Sequence, residues 1–111
     1  MNQSEAVLLC KHIEVFAPVY GCHVALTGGC LYKDGDRKDV DILFYRIRQV
    51  PKIDVDGLKA ALKEFGFGEI TGFGWILKSE YKGSKVDMFF PEEIDGEEYD
   101  PDYSKNKQEI A

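Results

Sequence analysis

The seven residues Asp39-Val40-Asp41-Ile42-Leu43-Phe44-Tyr45 constrain this chain more than any other segment. Val40, Ile42 and Phe44 alternate with Asp39, Asp41 and Leu43, and alternation with period two is the mark of a half-buried strand. One face of that strand must lie against a core. The other carries two carboxylates two residues apart, on the same side. An acid pair on a half-buried strand is costly unless its charge is compensated. The fold therefore needs a sheet with one covered face, and a reason for acids on the other.

The remaining segments supply elements for such a sheet. Ser4 to about Ala17 places Ala6, Leu9, Ile13 and Phe16 on one helical stripe, with Ser4 as the expected N-cap and Pro18 and Gly21 ending the helix. His23 to Thr27 reads as a short buried strand running into Gly28-Gly29. A second helix is expected to begin near Asp54 or Asp56, since Leu58, Ala61, Leu62 and Phe65 keep helical spacing and Gly66 suits a C-terminal cap. Two strand-like runs follow, about 69–78 and 85–90, joined by a turn near Lys82-Gly83. The order α, β, β, α, β, β predicts an α+β domain, a small mixed sheet with helices packed on one face.

At 111 residues the chain is the size of one domain, and 44% apolar content is enough to build a core. No apolar run approaches the ~18 residues of a membrane span. Three cysteines, Cys10, Cys22 and Cys30, form no paired motif and read as thiols of a reduced, cytoplasmic protein. Cys10 with His12, and Cys22 with His23, have the wrong spacing for a zinc site and read as core and surface residues. Trp75, among Phe73, Ile76 and Leu77, reads as a packing residue in preference to the alternative, a base-stacking platform.

Charge divides the chain. Residues 1–90 carry twelve acids and twelve bases, whereas residues 91–111 carry eight acids against Lys105 and Lys107, so the net charge of −6 sits in the tail. The expected organisation is a folded domain over 1–90 and a mobile acidic tail over 91–111. A neutral body with an acidic tail argues against non-specific nucleic-acid binding, which depends on phosphate neutralisation by Lys and Arg.

Asp-x-Asp occurs four times, at Asp34/Asp36, Asp39/Asp41, Asp54/Asp56 and Asp100/Asp102. Only Asp39/Asp41 leads into a strand core. A third acid, Asp87, interrupts the hydrophobic strand Lys85-Val86-Asp87-Met88-Phe89-Phe90. If that strand neighbours Asp39–Tyr45, three carboxylates converge, and divalent cations become the natural compensation. Two-metal phosphoryl sites hold their ions about 3.5–4 Å apart. Glycines after a strand, here Gly28-Gly29, let backbone N–H groups approach phosphate. The alternative reading is a set of solvated acids on an exposed sheet face.

Thr27-Gly28-Gly29, nine residues, Asp39-Val40-Asp41-Ile42 and a later strand Asp87 together resemble the nucleotidyltransferase fold of the DNA polymerase beta superfamily. The resemblance spans about residues 23–90. It implies that Asp39 and Asp41 ligate Mg²⁺ or Mn²⁺, that Asp87 ligates metal and accepts the proton of the attacking hydroxyl, and that Gly28 and Gly29 cradle the triphosphate. Arg37 and Lys38 are implied phosphate contacts. The second loop position is Gly where the family also uses Ser, so a hydroxyl contact is missing there. The implied activity is transfer of a nucleoside monophosphate from an NTP to an acceptor hydroxyl. The acceptor is not specified, and a protein partner or a second copy of the chain is consistent with a small member of the superfamily. Most members carry a further domain for base or acceptor, for which this length leaves no room. The alternative expectation is therefore a binding or regulatory module with the same fold and no turnover.

Overall fold

The computed structural model describes residues 1–28, 35 and 38–92. Gly29 and Arg37, two of the expected phosphate contacts, and residues 93–111 of the acidic tail lie outside the described residues.

Helix α1 spans Gln3–Phe16. Its cap is Asn2 and not Ser4. The Asn2 side chain accepts from Glu5 N at 2.8 Å, and the Glu5 carboxylate accepts from Asn2 N at 3.0 Å, closing a capping box. The reciprocal pair satisfies two orphan donors, which Ser4 one turn fraction later would not. A 3₁₀ turn, Ala17–Tyr20, follows and ends at Gly21, whose φ of +90° is the left-handed conformation that closes it.

Five strands form one mixed sheet among the described residues: β1 (Cys22–Thr27), β2 (Asp39–Arg46), β3 (Thr71–Phe73), β4 (Ile76–Tyr81) and β5 (Ser84–Phe89). Their spatial order is β1-β2-β5-β4-β3. Only β2 and β5 are parallel; the other three pairings are antiparallel. Helix α2 (Val55–Phe65), capped by Asp54 accepting from Gly57 N at 3.1 Å, lies in the crossover between β2 and the β3–β4 hairpin. The expected single strand over 69–78 is in fact broken. Gly74 and Trp75 form a two-residue loop between β3 and β4, made feasible by the +70° φ of Gly74. The turn at Lys82-Gly83 is where the sequence places it. Both residues have positive φ, +49° and +83°, the pattern of a two-residue hairpin turn whose twist matches the strands.

Both helices cover the same face of the sheet. Ala6, Leu9 and Ile13 from α1 and Leu58 and Leu62 from α2 join Val40, Ile42, Phe44, Leu77, Val86 and Met88 in one buried cluster. Phe44 and Phe90 stack within it at 4.8 Å. The opposite face of the sheet has no helix upon it among the described residues. No helix of the described residues is long and apolar enough to cross a membrane.

Among the described residues the buried core ends at Phe90, and one surface contact reaches past Pro91. Glu92, assigned by charge to the tail, accepts a hydrogen bond from Arg46 N at 2.6 Å and so ties the chain to the end of β2.

Candidate active site on the open face of the sheet

The open face can be built row by row from strand register. Alternation in β2 sends Val40, Ile42 and Phe44 into the core and leaves Asp39, Asp41 and Leu43 on the other side. Alternation in β5 does the same, burying Val86 and Met88 and turning Lys85, Asp87 and Phe89 outward. In the parallel pairing Asp41 stands opposite Asp87, and Asp39 opposite Lys85. Thr27 of β1 pairs with Asp41 on one flank, and Lys78 of β4 pairs with Asp87 on the other. One row thus reads Thr27, Asp41, Asp87, Lys78, Thr71. The next reads Asp39, Lys85, Glu80.

Neighbouring strands lie ~4.7–4.9 Å apart, so Asp41 and Asp87 are carried side by side on the scale at which paired ions are spaced. The closeness has an electrostatic signature. Burial pushes the Asp41 carboxyl above its ordinary value, and the charges of Asp87 and then Asp39 push it further in the same direction. All three sequence-chosen acids therefore belong to one electrostatic site. They are not gathered around a single point: among the described residues no three His, Cys, Asp or Glu side chains stand close enough to share one ion. The donor chemistry, all oxygen and all anionic, fits Mg²⁺ or Mn²⁺.

Gly28 closes the site from β1. Its φ is +72°, and a Cβ built there would collide with Asp41 Oδ2. Only glycine allows the backbone to pass so close to the carboxylate. Lys38 is exposed at the head of β2, and its carbonyl accepts from Lys85 N at 2.9 Å, which fastens the acidic end of β2 to β5.

Two hollows flank the acid pair. A charged cleft of about 590 Å³ is lined by Asp39, Glu69, Lys78, Glu80, Lys85 and Asp87 among others. An apolar hollow of about 370 Å³ lies on the other side, lined by Thr27, Gly28, Asp41, Leu43, Trp75, Phe89 and Pro91. Sequence reasoning missed Lys78, Lys85 and Trp75 as site residues. Alternation in Ile76-Lys78-Glu80 marks an outward face, but nothing local says that this face adjoins Asp87. Trp75 is not a core residue: it is 49% exposed and sits in a hairpin loop.

The cysteine–histidine pairs behave as ordinary packing. His23 Nδ1 lies 2.6 Å from Glu14 Oε2, and the His12 ring packs edge-on against Phe65. Cys10 and Cys22 are both buried. Burial, with Glu14 nearby, pushes the Cys22 thiol up to about 12.

Compared with family models and with curated proteins, the chain matches none.

Proposed function

We propose that the chain is a minimal metal-dependent nucleotidyltransferase, moving a nucleoside monophosphate from an NTP to an acceptor hydroxyl with release of pyrophosphate. The observation that carries this reading is the pairing of Asp41 with Asp87 across parallel strands, with Gly28 pressed against Asp41. Gly28 lets the backbone lie against the Asp41 carboxylate where a side chain would not fit, and its positive φ suits a turn whose N–H groups can face a phosphate.

In this reading Asp39 and Asp41 hold Mg²⁺ or Mn²⁺, with Asp87 as the third carboxylate. The cation, when bound, offsets the charge of the carboxylates and of the triphosphate. Gly28 faces the phosphates; the same role expected of Gly29 lies outside the described residues. Asp87 borders the charged cleft and takes the proton of an acceptor hydroxyl placed there. Lys78 stands beyond Asp87 in the same row, Lys85 stands beside Asp39 in the next, and both offset negative charge on the transferred group. Lys38 approaches the phosphates from the head of β2, and the phosphate contact expected of Arg37 lies outside the described residues. The cleft mixes Glu69, Glu80 and Asp39 with its two lysines, which suits a small polar acceptor or a protein side chain better than a polynucleotide. A partner protein or a second copy of the chain would supply a protein acceptor, and the buried cysteines Cys10 and Cys22 suit the reducing cytoplasm.

A second reading, a nucleotidyltransferase-like binding or regulatory module without turnover, is favoured by one observation. The three carboxylates are not gathered about one point among the described residues. Pyrophosphate release separates the two. The enzyme releases it from NTP and Mg²⁺ with a pooled set of hydroxyl acceptors, and Asp41→Asn abolishes the signal. A binding module takes up the nucleotide and releases none.

A further inference from the structure

The apolar hollow beside Asp41 is a poor place for a tryptophan whose role is packing. Trp75 is the only tryptophan in the chain, it is about half exposed, and the buried cluster does not include it. Its position is nevertheless held. The two-residue loop fixes it between β3 and β4, and its carbonyl accepts from Phe90 N at 2.7 Å, which ties the loop to the end of β5. The strand leading into the loop is closely fitted too, because a Cβ on Gly72 in β3 would stand 2.7 Å from Ile76 O. The indole lies 6.3 Å from the Phe89 ring and is tilted 36° from it, so the two rings flank the hollow without stacking on each other. Phe89 is two residues from Asp87 on the same face, and Leu43 is two residues from Asp41. One hollow therefore has an aromatic and aliphatic end at Trp75, Phe89 and Leu43, and a carboxylate and glycine end at Asp41 and Gly28.

We propose that this hollow receives the base of the bound nucleotide, stacked on Trp75, while its phosphates reach the Asp41–Gly28 end. The proposal rests on the nucleotidyltransferase reading and adds to it the seat of the base and its selectivity. A ligand that is planar and apolar at one end and polyanionic at the other fits both ends, and a hollow of about 370 Å³ lies within the usual range for small-ligand sites. Stacking on an aromatic ring is tolerant of base identity, because every base has a π-face. The base end is lined by Trp75, Phe89, Leu43 and Pro91, whose side chains offer only the indole N–H as a hydrogen-bonding group. The site is thus expected to accept purines and pyrimidines alike, with ATP and CTP binding within about tenfold of each other.

The single tryptophan makes the test direct. The full-length protein is titrated with MgATP, MgCTP and magnesium tripolyphosphate, following indole emission and, separately, heat of binding. The expected result is that both nucleotides quench Trp75, whereas tripolyphosphate binds and leaves the emission unchanged. Trp75→Ala should weaken MgATP about tenfold, Trp75→Phe should retain most of the affinity, and neither should alter tripolyphosphate binding. Circular dichroism of each variant checks that the fold is kept, and wild-type emission carries the test if Trp75→Ala fails to fold. Equal affinity for MgATP and tripolyphosphate with no quenching overturns the base seat and leaves the nucleotidyltransferase reading standing. Failure of all three ligands to bind overturns that reading, and the base seat with it. Adenosine alone quenching as tightly as MgATP, with no change in Asp41→Asn, would also overturn the proposal, since the two ends of the hollow would then not act on one ligand.

Discussion

Asp41 and Asp87 are register partners on the parallel strands β2 and β5, and the charge of Asp87 helps to raise the pKa of Asp41. Two acids separated by 46 positions in sequence are thereby made into one electrostatic unit.

The pair makes stability depend on pH in a definite sense. With its pKa raised above the ordinary 3.8, Asp41 binds its proton more tightly in the folded than in the unfolded chain. Below the ordinary value both states are protonated and the group costs nothing. As pH rises through the raised value, the folded state acquires a charge that burial, Asp87 and Asp39 oppose, and stability falls. Asp41→Asn should therefore raise the thermal midpoint at pH 7 without divalent cations by a few degrees, and the gain should vanish near pH 3. A midpoint lowered by the substitution at pH 7 would contradict this account.

Divalent cations should act in the opposite direction. A cation that binds only the folded state adds RT ln(1 + [L]/Kd), about 1.4 kcal/mol at ten times Kd. Millimolar Mg²⁺ or Mn²⁺ should raise the wild-type midpoint by several degrees and leave the Asp39→Asn/Asp41→Asn variant unmoved. Scanning fluorimetry of both proteins across a cation series measures it, and equal responses would count against the site.

Gly28→Ala should disable the site more than the fold. The substitution costs about 1–2 kcal/mol for a side chain in the left-handed region, and its methyl group displaces the Asp41 carboxylate. Cation and nucleotide responses are expected to disappear while the far-ultraviolet dichroism stays native. Retained MgATP binding would show that the glycine is only a turn residue.

Gly57→Ala reverses an ordinary rule. Alanine normally stabilises a helix by ~1 kcal/mol over glycine. Here Gly57 lies in the first turn of α2, and a Cβ would stand 2.8 Å from the Tyr20 ring and close upon the capping carboxylate of Asp54. The variant should therefore melt below wild type by several degrees, and a rise in midpoint would refute the contact.

Cys22 should be chemically silent. It is fully buried, its Sγ lies 3.6 Å from Ala17 O, and its thiol is pushed up to about 12. Iodoacetamide at pH 8, followed by peptide mapping, should label Cys22 only after unfolding.

Much of this was open to a reader of the sequence, for reasons that are local. Alternation in 39–45 and 85–90 determines which residues turn to the core, because side chains in a strand must alternate whatever the strand pairs with. That places Asp39 and Asp41 together, and Asp87 with Lys85 and Phe89, before any pairing is known. The glycines at 28, 66 and 83 likewise declare left-handed backbone. Boundaries were less secure, as Asn2 shows, since Asn and Ser are comparable caps and only the reciprocal bond to Glu5 chooses between them.

Which strands become neighbours is decided by long-range packing, and no local pattern encodes it. The parallel pairing of β2 with β5 sets Asp41 beside Asp87, and the antiparallel pairing of β5 with β4 brings Lys78 to the same row. The break at Gly74-Trp75 carries the indole out of the core to which its apolar neighbours in sequence assign it. The sequence alone determined the acids, the glycine loop and the faces they occupy; the tertiary structure alone decided that they meet beside an exposed tryptophan. Side-chain direction depends on backbone geometry within a few residues, whereas strand order depends on how the helices and strands of the described residues bury one common core.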